Sequence, residues 1–224
     1  MNLKFTLWLL WTGFIAYILL LAPPLHLDET LTLLKNIFTF EWAAINPIVL
    51  SLFYLVGIWL LIYSSLLFID GRMQSIPFWP FAIASVGSGV LGLLPYLAFR
   101  EPNQQFSGQK DAFLNLLDSR IYGIVLTLST VVLLVYAFAF GDWGDYVQQF
   151  QSDRFINGMS LAFWLFYLLF PTVVGDDMAR RRFPNAQVFL AVVFVPLLGS
   201  LAYLCLRPPL MLSTIPEESL LANR

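Results

Sequence analysis

The densest run of reactive side chains in this chain is Gly175-Asp176-Asp177-Met178-Ala179-Arg180-Arg181-Arg182, directly after a long apolar stretch. Adjacent carboxylates at a membrane surface can hold Mg²⁺ and a diphosphate while arginines grip phosphate oxygens. Membrane-embedded phosphotransferases use that chemistry, but the further spaced aspartates of a CDP-alcohol phosphotransferase or a prenyltransferase are missing here. A structural explanation competes. Asp176 with Arg180 and Asp177 with Arg181 are acid-first i,i+4 pairs, the favourable order on a helix. Positive charge suits a helix C-terminus, and Pro184 ends the run. Asp176, Asp177, Arg180, Arg181 and Arg182 are therefore expected to form a surface charge cluster, and no catalytic residue is assigned.

Other chemistries fall away by count. Cys205 and His26 are single, so no disulfide, CxxC pair, cysteine cage or multi-histidine site can be built, and no metal or cofactor is expected. His26 follows Pro23-Pro24-Leu25 and reads as a solvated loop histidine. Asp70-Gly71-Arg72 reads as a turn. A net charge of −2 gives no case for nucleic acid. Across the 224 residues, 59% are hydrophobic and 12% charged, which argues against any soluble class.

The elements that must position these groups are six apolar stretches, over residues 4–22, 45–69, 78–99, 121–141, 155–175 and 187–206, whose interiors carry no charge. Each meets the roughly 20 residues a spanning helix needs. The expected architecture is an all-α transmembrane bundle of six helices forming a single integral membrane domain over 1–224. The first stretch lacks a good small-residue cleavage site and reads as a retained helix. Asn46-Pro47 and Pro77 to Pro80 open two spans; Ser119, Ser152 or Asp153, and Asn185 can cap others. Trp42, Trp79 and Trp143 suit the interface. Residues 111–120 and 143–155 read as amphipathic connectors resting on lipid. Six spans would place Lys4, Arg72, Arg154, Arg207 and Arg224 on one side, against Lys35, Arg100, Lys110, Arg120, Arg180, Arg181 and Arg182. That weakly favours a cytoplasmic fifth loop.

Two span ends resemble one another. Gly92, Leu94, Tyr96, Leu97, Arg100 and Pro102 match Gly199, Leu201, Tyr203, Leu204, Arg207 and Pro209 at one fixed separation, which also pairs Asp70 with Asp177 and Pro77 with Pro184. A duplication of three spans would invert its second copy, giving a 3+3 inverted repeat of the kind transporters use. Ser85, Gly89, Gly92, Pro95, Pro196 and Gly199 then mark a candidate solute region. Small-xxx-small helix packing, as in Ser85/Gly89 and Ser88/Gly92, explains them more simply.

The GDDMARR run after Asn157-Gly158-Met159, the Asn46-Pro47 start and the Phe/Trp-rich spans resemble an uncharacterised family of integral membrane proteins from cyanobacteria and chloroplasts. The resemblance implies a thylakoid or plasma membrane location and a tie to photosynthetic complexes, with no activity, cofactor or site residue. The expectation is a non-enzymatic accessory, scaffold or assembly protein whose partners are the lipid bilayer and other membrane proteins. The alternative is a small transporter of a neutral or amphipathic solute. A lipid-modifying enzyme comes third.

Overall fold

The computed structural model describes residues 2–106 and 110–210, which form twelve α-helices and no strand. In order these are α1 (Leu3–Leu20), α2 (Leu27–Phe38), α3 (Pro47–Asp70), α4 (Trp79–Ser88), α5 (Val90–Phe99), α6 (Ala112–Leu117), α7 (Arg120–Phe140), α8 (Trp143–Ser152), α9 (Arg154–Leu169), α10 (Pro171–Arg180), α11 (Ala186–Phe194) and α12 (Leu198–Leu206). Four segments are long and apolar enough to cross a membrane: α1, α3 with its following turn, α7, and α9 with α10. The last is one rod with Pro171 at its joint. α3 and α9–α10 are the central pair, about half buried, whereas α1 and α7 lie outside them and are mostly exposed.

Six continuous spans are not what forms. The third stretch breaks at Gly89 into α4 and α5, and the sixth breaks at residues 195–197 into α11 and α12. Each pair folds back on itself. A Cβ added to Gly92 would lie 2.5 Å from the Ser85 backbone nitrogen, and one on Gly199 would lie 2.7 Å from the Val192 carbonyl oxygen. Residues seven apart on one continuous helix are about 10 Å apart along its axis, so these contacts require a reversal. Gly89 makes the first turn with φ +58°, which glycine adopts without steric cost. Leu197, after Pro196, makes the second at φ +58° without that freedom. Each ten-residue arm of the first hairpin is about 15 Å long, half the hydrocarbon thickness.

Because a hairpin returns to the end it left, the chain enters its second half in the same sense as its first. Arg180 binds Asp70 and lies three residues from Asp177, so both aspartates lie at one end of the bundle. An inverted copy would separate them. Lys4 also reaches Glu101 at that end. At the other end Asn46 donates to the Asp142 carbonyl and to Asp145, and Arg154 donates to the Pro23 carbonyl. The expected seven-to-five division of Lys and Arg is corrected accordingly. Lys4, Arg72, Arg100, Lys110, Arg120, Arg180, Arg181, Arg182 and Arg207 lie at the Asp70 end, and Lys35 and Arg154 at the opposite one; Arg224 lies outside the described residues.

The connectors are helical too. α2 and α8 are amphipathic and lie at the opposite end, where Tyr146 of α8 donates to Ser160. α6 is only six residues; it buries Leu114 and Leu117 and leaves Phe113 and Leu116 exposed, so these four do not share the expected face.

The reversal makes Gly92 and Gly87 opposites. Gly92→Ala forces a methyl into the Ser85 backbone and should cost about 1–3 kcal/mol, the usual scale for overpacking. A Cβ on Gly87 meets nothing within 4 Å. Thermal unfolding in detergent should show a lowered midpoint for Gly92→Ala and none for Gly87→Ala; equal midpoints would contradict the hairpin.

Candidate functional site

At the end of the bundle that holds most of the basic residues, the last turns of α3 and α10 each present a carboxylate with no solvent exposure, Asp70 and Asp177. Each is met by a tyrosine and an arginine from a hairpin's returning arm. Tyr96 and Arg100 are four apart on α5, hence on one face. Tyr96 Oη donates to Asp70 at 3.3 Å, and Arg100 Nε and Nη2 donate at 3.1 and 3.3 Å. Tyr203 and Arg207 repeat this spacing from α12. Tyr203 Oη donates to Asp177 at 2.8 Å and Arg207 Nη1 at 3.4 Å.

The two nodes are cross-linked by the GDDMARR run. Adjacent residues on a helix point about 100° apart, so Arg180 and Arg181 serve different nodes. Arg180 Nη1 donates to Asp70 at 2.6 Å and to the Asn103 carbonyl at 3.1 Å. Arg181 Nε donates to Asp177 at 2.8 Å, its Nη1 to the Pro208 carbonyl, and its Nη2 pairs with Asp118. Asp176 pairs with Arg100 and Lys110 with Asp118. Arg207 Nη2 donates to the Leu117 carbonyl at 2.8 Å. Burial alone would raise the Asp118 carboxyl, but Arg181, Lys110 and Arg207 outweigh it and hold it below its ordinary range. Burial pulls the Arg181 guanidinium down, yet Asp177 and Asp118 leave it raised.

The expected surface cluster is thus corrected: Asp177, Arg180 and Arg181 are buried, Asp176 is mostly covered, and Arg182 alone of the five is exposed, with φ +52°. Of the two expected i,i+4 pairs, Asp177–Arg181 forms, whereas Asp176 and Arg180 each reach the other half. Asp70 was read as a turn residue, and its match to Asp177 was the signal that pointed here. Ser85, Gly89, Gly92, Pro95, Pro196 and Gly199 form no common site. Ser85 serves closure of the first hairpin: its backbone backs Gly92, and its Oγ donates to Phe81 O. Pro95 has no N–H for the Leu91 carbonyl four residues earlier; Trp11 Nε1 takes that place at 2.9 Å.

All six carboxylates described at this end, Asp70, Glu101, Asp111, Asp118, Asp176 and Asp177, are ion-paired. None of them is free to ligate Mg²⁺. At the opposite end Asp28, Glu29, Glu41, Asp142 and Asp145 form no ion pair among the described residues. His26, Glu29 and Asp153 bring one ligand atom each within 4.8 Å of one another. Asp153 Oδ1 caps α9, and His26 begins α2, so two helix N-termini, each positive, face that point and oppose a cation. No family model, characterised protein or solved structure matches this chain.

Asp177→Asn leaves Arg181 and Arg207 buried with half their compensation, a class of change that costs about 3–5 kcal/mol. Denaturant unfolding in micelles should register it, with a much smaller loss for Arg182→Ala. A depressed carboxyl contributes stability above its ordinary pKa, 3.8 for Asp118, and loses it as pH falls through the folded value. Unfolding midpoints should therefore hold from neutral pH to about 4 and fall below it. Asp118→Asn should lower the neutral midpoint and flatten the acid limb.

Proposed function

We propose that the chain is a non-enzymatic membrane scaffold that docks partner transmembrane helices on the outer face of its first hairpin. The observation that carries this reading is on α4. Ala84, Gly87 and Ser88 are exposed on one face beside the break at Gly89, and among the described residues nothing lies within 4 Å of where a Cβ on Gly87 would sit. The last carbonyls of a helix lack intrahelical partners, and a helix that ends about 15 Å into a bilayer exposes them to lipid, at several kcal/mol each. Another protein's helix can cover them, and small residues let its backbone come close. Val86 and Phe194, beside the two breaks, are 81% and 73% exposed.

The same reading takes the two halves as a parallel duplication about an axis along the membrane normal. An outer span (α1, α7), an amphipathic helix (α2, α8), a central span (α3, α9–α10) and a hairpin occur in the same order in each half. N-cap residues Asn46 and Asp153 match at the fixed separation, as do Asp70 and Asp177. Among the described residues, nine basic side chains at one end against two at the other favour a cytoplasmic or stromal position for the first end.

The other expectations have less behind them. Transport of a neutral or amphipathic solute needs a path through the bundle, and the space between the central spans is occupied by Trp59, Tyr63, Phe166 and Phe170. A lipid-modifying enzyme would need Asp176 and Asp177 free of arginine. A photosynthetic membrane is what the sequence resemblance implies.

Mild solubilisation of native membranes followed by native electrophoresis should show the protein co-migrating with other membrane proteins. Gly87→Leu should release them while leaving the thermal midpoint unchanged; migration alone in native membranes would sink the reading. Orientation is tested by single cysteines at Met73 and Arg182 in a Cys205→Ala background. Both should react with an impermeant maleimide from the same side, whereas six spans would put them on opposite sides.

A further inference from the structure

Among the differences between the two hairpins, one opens a cavity. At the fixed separation that matches the halves, Ser64, Ala82 and Ser85 correspond to Pro171, Phe189 and Val192, so the first half carries three smaller side chains. Phe189 packs against the core, its ring in van der Waals reach of Gly175. Where Ala82 replaces that ring, a space of about 210 Å³ opens between α3 and α4, walled by Leu60, Tyr63, Ser64, Phe78, Ser85 and Leu93 among others. An apolar cavity of about 150 Å³ already holds benzene.

The mouth and the chemistry of this space restrict its occupant. Leu61, Ile83 and Val86 at its edge are 45%, 66% and 81% exposed on the lipid-facing surface, so entry is sideways from the bilayer. No ionisable carboxylate or amine lines it, which disfavours a charged ligand. Three hydroxyls do. Tyr63 Oη donates to the Phe166 carbonyl at 2.7 Å, and Ser85 Oγ to the Phe81 carbonyl at 2.7 Å. The Ser64 hydroxyl has no hydrogen-bond partner among the described residues. The Phe166 carbonyl is itself free for Tyr63 because Phe170 N turns to Tyr167 O instead.

We propose that this cavity binds a neutral lipid by one carbonyl or hydroxyl oxygen, hydrogen-bonded to Ser64, with its apolar chain lying against Leu60, Ile83 and Val86. The site is separate from the partner face of α4, since Ala84, Gly87 and Ser88 do not line it.

The test uses the full chain in nanodiscs and three photoactivatable probes: a hexadecanol with a diazirine near the hydroxyl, the matching hexadecane, and a phosphatidylcholine carrying the same group beside its ester. The alcohol should label peptides containing Leu60–Ser64 and Ala82–Val86. Ala82→Phe, which copies the protein's own second half, should lower that labelling at least tenfold with an unchanged thermal midpoint. Ser64→Ala should lower labelling by the alcohol several-fold and leave the hydrocarbon's unchanged. Equal labelling by phosphatidylcholine identifies a bilayer phospholipid as the source of the oxygen, and labelling by the alcohol alone identifies a non-phosphate lipid. Labelling spread equally over Ile124, Leu128 and Val132 of α7, and indifferent to both substitutions, would overturn the site.

Discussion

Two carboxylates with no access to water, Asp70 and Asp177, hold the rest of the architecture in place. Each closes the last turn of a central span against the returning arm of the hairpin that follows it, through a Tyr and an Arg four residues apart. A hairpin that stops halfway through a bilayer has no second aqueous end to anchor it, so its position depends on what grips its base. An isolated buried carboxylate would be costly, and here each receives donors from three or more side chains. The price of that arrangement is specificity of partnership: removing any one member strands the others.

The clamp also joins the halves unequally. Arg180 and Arg181 correspond to Met73 and Gln74, so the first half has no arginine of its own at this place and takes Arg180 from the second. Asp176, opposite Ile69 in the matched register, returns a carboxylate to Arg100. A symmetric pair of nodes has thereby become a single interlocked cluster, with Asp118 of the connecting segment closing it from the side. The two hairpin turns diverge similarly. Gly89 accepts φ +58° freely, whereas Leu197 holds the same φ with a side chain that is 3% exposed, so packing must support a conformation that residues with a Cβ avoid.

Much of the outline was legible in the sequence because it depends on local chemistry. Asn46, Ser119, Asp153 and Asn185 do cap helices, each side chain accepting from an N–H two or three residues on. Four of the six stretches are long apolar helices. The other two were misread because hydropathy sums apolar residues without regard to direction: twenty residues that fold back in the middle score like twenty that continue. Gly89 and Pro196 marked the breaks but carry no information on whether a chain kinks or reverses there. The cluster was hidden for another reason. Its contacts join residues 26, 30, 77 and 110 positions apart, and no short-range rule pairs Asp70 with Arg180. The signal for it is the match of Asp70, Tyr96 and Arg100 with Asp177, Tyr203 and Arg207; three full spans between the two sets would put them at opposite ends, whereas the hairpin returns them to one end.

Placing the charges in this way decides which surfaces remain for function. The ion pairs at the Asp70 end are consumed in holding the hairpins, so that end is the stiff one. The interior between the central spans is filled by Trp59, Tyr63, Phe166 and Phe170, packed in tilted and edge-to-face pairs at centroid distances of 5.7 to 6.2 Å. Along the outside of the first hairpin lie an exposed helix break, a face of small residues and a cavity with an apolar mouth. The second half covers the matching cavity position with Phe189. The clamp is thus built in both halves, whereas the cavity is open only beside α4, where Ala82 stands in place of a phenylalanine ring.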